Sequence, residues 1–203
     1  MIADLVIHNG TVVSPEMAIA ASVAIKDGKV LAVGAAQAMP QAAEILDARG
    51  LHVLPGAIDV HVHFRDPGYP HKEDFATGTA AAAFGGVTTV FDMPNTIPPT
   101  GTAEVLCEKH ARAAAGAHVD FGLYGLLGED TIEHVPALID GGVIGFKLYM
   151  GNTFGNIPSP STGAMLEAFE VVAATGKRIS LHAETASIMA RREARMVAAG
   201  RRD

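Results

Sequence analysis

Polar and apolar residues alternate along residues 1–13, and residues 1–54 as a whole consist of short apolar runs that turn sequences interrupt. This period of two is typical of half-buried β-strands. The runs are separated by three pairs that end in glycine: Asn9-Gly10, Asp27-Gly28 and Arg49-Gly50. The first two pairs predict tight β-hairpins, and the third predicts a turn between strands at 44–48 and 52–54. We therefore predict a small β module at residues 1–54.

At residue 55 the pattern changes to a repeat of apolar strand, loop and alanine-rich helix. The predicted strands are 57–60, 87–91, 119–124, 144–148 and 179–182. The predicted helices are 74–84, 102–115, 130–140, 165–174 and 185–199. Continuously apolar strands that alternate with helices predict βαβ units and a parallel sheet buried on both faces. The fold class of residues 55–203 is therefore α/β, either a doubly wound sheet or most of a barrel.

Composition and charge exclude several classes of protein. Of the 203 residues, 49% are apolar and 18% are charged, which supports a buried core and excludes a disordered chain. The formal net charge is −7 and basic residues are sparse, so we expect no nucleic-acid partner. No run has the length of a membrane span or the basic start of a secretory signal, so we expect no membrane association. Cys107 is the only cysteine, which suits a reducing compartment, and we expect a cytoplasmic location.

Two histidines, His61 and His63, lie at the end of the first predicted strand of the α/β region. Residues i and i+2 of a strand point to the same face, so both imidazoles converge on one volume. Two neutral imidazoles at this distance suit a divalent transition metal such as zinc. The alternative is a pair of surface histidines at a strand end. The carboxyl end of a barrel-like strand is where active sites lie, and this position favours the metal.

Lys147 lies inside an apolar strand, where an ammonium group is strongly disfavoured. Burial lowers the pKa of a lysine, and the neutral amine can react with carbon dioxide to form a carbamate. Such a carboxylate could bridge two metal ions. Alternatively, the side chain extends to the strand end or pairs with an acidic partner.

His182 ends the fifth predicted strand. A single histidine at such a position is more often a satisfied core or loop residue than a ligand. Its significance comes from convergence, because His61, His63, Lys147 and His182 all lie at carboxyl ends of strands in one predicted sheet. In a barrel these ends face a common mouth.

Arg65 and Asn95 are candidates for substrate binding beside these residues. Arg65 follows His63 by two positions, and Asn95 lies in the loop after the second strand of the α/β region. A guanidinium and an amide can hold a carboxylate without offering a nucleophile. Arg65 could instead form an ordinary surface salt bridge, and Asn95 could form a turn.

The combined motifs resemble those of a known family. Residues 55–68 (PGAIDVHVHFRDPG) and the stretch from 72 to MPNT at 93–96 resemble the opening barrel motifs of dihydroorotases. GFK at 145–147 and HAE at 182–184 resemble later motifs of the cyclic amidohydrolases, a group that includes hydantoinases, dihydropyrimidinases and allantoinases. The resemblance covers nearly the whole chain.

The resemblance implies a metal-dependent TIM (β/α)8 barrel hydrolase that opens a cyclic amide, with a small β-sandwich module at its N-terminus. It implies that His61, His63, carbamylated Lys147 and His182 bind two divalent metals, which we expect to be zinc. Dihydroorotases hold the substrate carboxylate with an arginine after the histidine pair and the asparagine of MPNT, which Arg65 and Asn95 match. Dihydroorotase is therefore the preferred function. The alternatives are an allantoinase, hydantoinase or dihydropyrimidinase, or a non-catalytic relative that serves as a scaffold.

The chain is shorter than the resemblance requires. A complete eight-unit barrel takes about 250 residues, and only about five units fit between residue 55 and residue 203. The family's catalytic aspartate is expected beyond Asp203, so the candidate site residues in this chain include no catalytic base. We expect the chain alone to be incomplete and inactive, and the intact protein to form a homo-oligomer.

Overall fold

The computed structural model describes residues 1–151 and 157–201. Its contacts divide the chain into two units, Met1–Gly56 and Ala57–Asp203. The first unit is a sheet of five strands: β1 (Ala3–Val13), β2 (Ala18–Lys26), β3 (Lys29–Gly34), β4 (Ala42–Asp47) and β5 (His52–Val53). The strand order is β3-β2-β1-β4, and β5 also pairs with β1. β2 and β3 form the predicted hairpin, since Asp27 and Gly28 both have positive φ angles, as a type I′ turn requires.

The hairpin predicted at Asn9-Gly10 is wrong. Asn9 has a φ angle of 63°, but it lies inside the continuous strand β1, where the register with β2 shifts between Ile7 and Gly10. The pair therefore forms a β-bulge, which uses the same backbone conformation as a turn. Glycine is required at position 10 because a Cβ atom there would be 2.6 Å from Cγ2 of Val53. Asn9 does adopt the positive φ angle that a turn would need. However, β1 pairs with β2 on one side and β4 on the other, and this pairing keeps the strand extended through the bulge.

In the second unit strands and helices alternate: β6 (Ala57–Val62), α1 (Phe75–Phe84), β7 (Val87–Asp92), α2 (Ala103–Gly116), β8 (Asp120–Leu127), α3 (Val135–Asp140), β9 (Gly145–Tyr149), α4 (Thr162–Ala173), β10 (Ile179–His182) and α5 (Ala186–Ala198). Each strand pairs in parallel with the strand before it, in the order β10-β9-β8-β7-β6. A doubly wound sheet reverses its order at a switch point, whereas a barrel adds each strand beside the last. The sheet is therefore a curled half-barrel.

Two helix starts differ from the sequence prediction. The helix predicted over 130–140 begins only at Val135, after a short 3-10 turn at Ile132–His134, with Pro136 in its first turn. Proline favours that place because its missing N–H has no partner there anyway. The helix predicted over 165–174 begins earlier, because the Ser161 side chain accepts a hydrogen bond from the N–H of Ala164. Among the helices of the described chain, none combines the length and apolar character needed to cross a membrane.

Phe64 anchors the loop that follows β6. Its buried ring packs against the ring of Phe75 with centroids 5.4 Å apart. Gly78 of α1 lies against the same ring, and a Cβ atom there would be 2.5 Å from Cε1 of Phe64. α1 begins at Phe75 because the Asp74 side chain caps it by accepting a hydrogen bond from the N–H of Thr77. The loop that carries His63 and Arg65 is therefore held by close packing on α1.

We expect Gly78→Ala to lower the free energy of unfolding by about 1–3 kcal/mol, because the added methyl group overpacks the Phe64 ring. The matched control is Gly163→Ala in α4, where, apart from the chain neighbours and the backbone of the helix, the nearest atom in the described chain is the Ser161 hydroxyl at 4.0 Å. That change should stabilise the protein by up to about 1 kcal/mol through helix propensity. Urea unfolding of the full-length variants, followed by circular dichroism, measures both effects. Equal effects of the two changes would contradict the close approach of Phe64.

Candidate metal centre

His61 and His63 project from the carboxyl end of β6 on one side of the strand. Their ring centroids are 5.2 Å apart and the ring planes are inclined by 55°. Partial burial lowers the pKa of His61, and the positive charge of Lys147 lowers it further, while Asp59 opposes the shift. Burial also lowers the pKa of His63. Both shifts favour neutral imidazole, which is the form that binds a metal.

Asn95 holds His63 in one orientation. Its buried side chain places Oδ1 2.8 Å from Nδ1 of His63. The amide oxygen can only accept, so Nδ1 carries the proton and donates it. The lone pair of the imidazole is then on Nε2, which is left to bind a metal ion. The loop after β7 thus sets the tautomer of a histidine that directly follows β6.

Lys147 is buried in the middle of the parallel sheet, with only 1% of its surface exposed. It lies on β9, in register with Leu126 on one side and Ser180 on the other. Within residues 1–151 and 157–201 no carboxylate lies within salt-bridge distance of its amine. Its Nζ lies 5.2 Å from the centroid of the Tyr149 ring. Desolvation by burial lowers the pKa of Lys147, which makes its neutral amine accessible.

His182 ends β10, beside Lys147 and Tyr149 on β9. Its Nε2 atom is 3.3 Å from a carboxylate oxygen of Glu184, and its ring centroid is 5.9 Å from that of Tyr149. The charge of His182, like that of Lys147, lowers the pKa of His61. Electrostatic coupling therefore connects the predicted ligands on β6, β9 and β10.

The donor set fits a divalent metal in part. Two imidazoles share a strand face, one of them with its tautomer set for ligation, and a buried amine and a third histidine are coupled to them. In the described part of the chain, however, no three His, Cys, Asp or Glu side chains come together as a metal-binding group. Lysine lies outside that set of residue types and would need carbamylation to offer oxygen ligands.

Arg65 lies close to the histidine pair. Its φ angle of 65° places it in the left-handed region, which turns the chain sharply after β6. After burial, the guanidinium charge of Arg65 is the next cause that lowers the pKa of His63. It also opposes the rise that burial causes in the pKa of Tyr149. The charge of Arg65 therefore acts on both His63 and Tyr149. The other predicted substrate-binding residue, Asn95, has its side-chain oxygen on His63.

Sequence reasoning missed three buried polar residues near this centre. Asp92 and Lys109 form an ion pair, and each side chain is completely buried. Lys109 could have been noticed, because it falls on the apolar face of α2 between Leu106 and Ala113. Tyr149 buries its hydroxyl group without a hydrogen-bond partner in the described chain. Its signal was its position two residues after Lys147, on the same face of β9.

Comparison with known proteins identifies the family of this chain. Residues 52–201 match the amidohydrolase family. The chain belongs to the amidohydrolase family. It is 35% identical over 202 residues to an L-hydantoinase of Paenarthrobacter aurescens, covering 98% of this chain and 44% of that protein. It is 41% identical over 187 residues to an allantoinase of Rubrobacter xylanophilus, covering 91% of this chain and 41% of the relative.

Solved structures of amidohydrolases have the same fold. An L-hydantoinase from Arthrobacter aurescens superimposes with a TM-score of 0.94 at 34% identity, over 100% of this chain and 45% of that chain. A dihydropyrimidinase from Brevibacillus agri superimposes with a TM-score of 0.82 at 27% identity, over 98% and 44% of the two chains. The chain thus spans less than half the length of the relatives that it matches.

The two buried lysines should respond in opposite ways to replacement by methionine in the metal-free, full-length protein. Lys109→Met leaves the buried Asp92 carboxylate unpaired and should cost about 3–5 kcal/mol of folding free energy. Lys147→Met removes an uncompensated buried amine and should stabilise the protein at pH 7.

Because the pKa of Lys147 is lowered on folding, the unfolded chain binds more protons and wild-type stability rises with pH. The advantage of Lys147→Met should therefore shrink as the pH approaches the ordinary lysine value. Chemical denaturation at pH 7 and at higher pH, in buffer free of carbon dioxide, measures the difference. A loss of stability in Lys147→Met like that in Lys109→Met would show that Lys147 has a stabilising partner.

Proposed function

We propose that the full-length protein is a metal-dependent hydrolase of cyclic amides. The observation that carries the proposal is the histidine pair His61 and His63 at the carboxyl end of β6, with the buried Lys147 of β9 close enough for its charge to lower the pKa of His61. The carboxyl ends of the strands form the edge of a (β/α) barrel where active sites are built. Membership of the amidohydrolase family and likeness to hydantoinases and allantoinases support it.

The residues of this chain would divide the work as follows. His61 would offer the lone pair of one ring nitrogen, and His63 would offer that of Nε2, because Asn95 keeps the proton of His63 on Nδ1. Lys147, as a carbamate, and His182 would complete a site for two zinc ions. A divalent metal held there would polarise the scissile carbonyl and acidify a water molecule. Lys147 itself has only 1% of its surface exposed, so bulk water is kept away from its amine and electrostatic interactions there are strengthened.

The favoured substrates are uncharged cyclic ureides of the hydantoin or allantoin type. The relatives described above are named as L-hydantoinase, allantoinase and dihydropyrimidinase, which are the alternatives that the sequence motifs left open. The preferred sequence interpretation, dihydroorotase, has no specific support from these relatives. If the substrate is a cyclic ureide, Arg65 would hold one of its ring carbonyls beside the histidine pair.

Dihydroorotase activity remains the second candidate because of Arg65. Its guanidinium lies close enough to His63 and Tyr149 to influence the pKa of both. A guanidinium at this position suits a substrate carboxylate, as the motif resemblance implies. Asn95, the other residue proposed to hold that carboxylate, uses its oxygen on His63, which leaves its NH2 group for a substrate.

The proposal is tested by incubating the full-length protein, loaded with zinc, with hydantoin, allantoin, dihydrouracil and dihydroorotate. We expect ring opening of at least one uncharged ureide, loss of activity with a chelator, and recovery when the metal is restored. His63→Ala should abolish activity, while Gly163→Ala, far from the candidate ligands in sequence and exposed on α4, should retain it. Hydrolysis that survives both the chelator and His63→Ala would contradict the proposed role of the metal.

The choice between the two substrate classes depends on Arg65→Ala. If a substrate carboxylate binds Arg65, loss of the charged hydrogen bonds should lower kcat/KM for dihydroorotate by about 10–100-fold or more. Uncharged ureides should lose less, and metal content should stay unchanged. Steady-state kinetics on both substrates, with metal analysis of each preparation, gives the comparison. Equal losses on charged and uncharged substrates would rule out recognition of a carboxylate.

A further inference from the structure

A buried ion pair lies directly behind the candidate metal centre. Nζ of Lys109, on α2, is 2.7 Å from Oδ2 of Asp92, at the end of β7. Neither side chain has any exposed surface. Such pairs are costly, because the energy lost on desolvation is often not recovered by the attraction between the charges. General stabilisation is therefore a weak explanation for placing one here.

The other hydrogen bonds of the pair go to the backbone of two loops. Nζ of Lys109 also donates to the carbonyl oxygen of Met93 at 2.7 Å. Oδ1 of Asp92 accepts from the backbone N–H of Phe64 at 2.9 Å. Phe64 follows His63 directly, and Met93 lies two residues before Asn95. The ion pair thus contacts the chain immediately beside both partners of the His63–Asn95 hydrogen bond.

These contacts close a ring through both loops. From Lys109 it passes to Asp92, then to the N–H of Phe64, and along the chain to His63. The hydrogen bond from His63 to Asn95 crosses to the second loop, and the carbonyl of Met93 leads back to Lys109. Every member of the ring is buried except His63, which is partly exposed. The ring joins the carboxyl ends of β6 and β7, directly beside His63.

We infer that the Asp92–Lys109 pair is a positioning device for His63. The pair fixes the backbone on both sides of the His63–Asn95 hydrogen bond, and so fixes the ring orientation and the Nδ1-protonated tautomer. Neither side chain has surface that a substrate could reach, so the role inferred for the pair is to position His63. The consequence for metal binding and turnover rests on the proposed function, but the effect on the His63 tautomer does not.

Two neutral double variants separate the contacts of the pair. In D92N/K109M the asparagine oxygen still accepts from Phe64, while the contact of Lys109 with Met93 is lost. In D92L/K109M both contacts are lost, and neither variant leaves a buried charge. The matched control is Lys177→Met, since Nζ of Lys177 also donates to a backbone carbonyl, that of Val143, but at the amino ends of β9 and β10.

Two measurements are made on the full-length protein, alongside the melting temperature. The first is the imidazole nitrogen resonance of His63 in metal-free protein labelled with nitrogen-15 histidine, assigned with His63→Gln. The second is the affinity for Co²⁺, measured by competition with a chelator and by the Co²⁺ absorption spectrum. A residue that only stabilises the fold would change the melting temperature and leave both site measurements unchanged.

We expect D92L/K109M to lose the Nδ1-protonated signature of His63 and to bind Co²⁺ about 10–100-fold more weakly. D92N/K109M should show a smaller loss, and Lys177→Met should match wild type. A folded D92L/K109M with the wild-type His63 resonance and Co²⁺ affinity would overturn the inference. If D92L/K109M does not fold, D92N/K109M decides, because an unchanged resonance there would equally refute it.

The proposed function fails separately. Wild-type protein that binds no Co²⁺ and opens no cyclic amide would refute the proposed function. The His63 resonance of the metal-free variants would still decide whether the ion pair positions that histidine.

Discussion

Parallel pairing of consecutive strands is the constraint on which the rest of the α/β unit depends. Each strand from β6 to β10 lies beside its predecessor, so all carboxyl ends reach the same edge of the sheet. Residues that are far apart in the chain, such as His61 on β6 and His182 on β10, are coupled there electrostatically. Parallel strands buried on both faces leave few other places where polar side chains can gather.

Two lysines are buried in this unit, Lys109 on α2 and Lys147 in the middle of β9, and they differ in their partners. Lys109 forms an ion pair with Asp92 and also donates a hydrogen bond to the Met93 carbonyl. Lys147 has no carboxylate partner in the described chain, and burial lowers the pKa of its amine. The same residue type is thus paired with a carboxylate in one place, whereas in the other burial favours the neutral amine. The paired Lys109 is suited to holding neighbouring segments in place, and the neutral amine of Lys147 is suited to chemical reaction.

Much of the second unit could be predicted from sequence because its signals are local. Apolar runs marked all five strands, and Asp74 and Thr102 marked two helix starts through their capping hydrogen bonds. The first unit was harder, since the Asn9-Gly10 pair fits a hairpin and a bulge equally well. Pairing of β1 with strands distant in the chain decided between them, and that pairing leaves no local signal.

Lys147, predicted at a strand end, lies in the middle of β9. By itself the sequence determined the α/β class, the order of strands and helices, and the placing of His61, His63 and His182 at or directly beside strand ends. These follow from hydrophobic period and from spacing of two along a strand, which are properties of short segments. The motif resemblance implied a barrel, and the consecutive parallel order of the strands confirms it. Only the tertiary structure showed that Asn95 binds His63. It alone showed that Asp92 and Lys109 connect the loops of the site. These hydrogen bonds and this ion pair join residues that are far apart in the chain. They form only when folding brings the loops after β6 and β7 and helix α2 together, so no short segment of sequence predicts them.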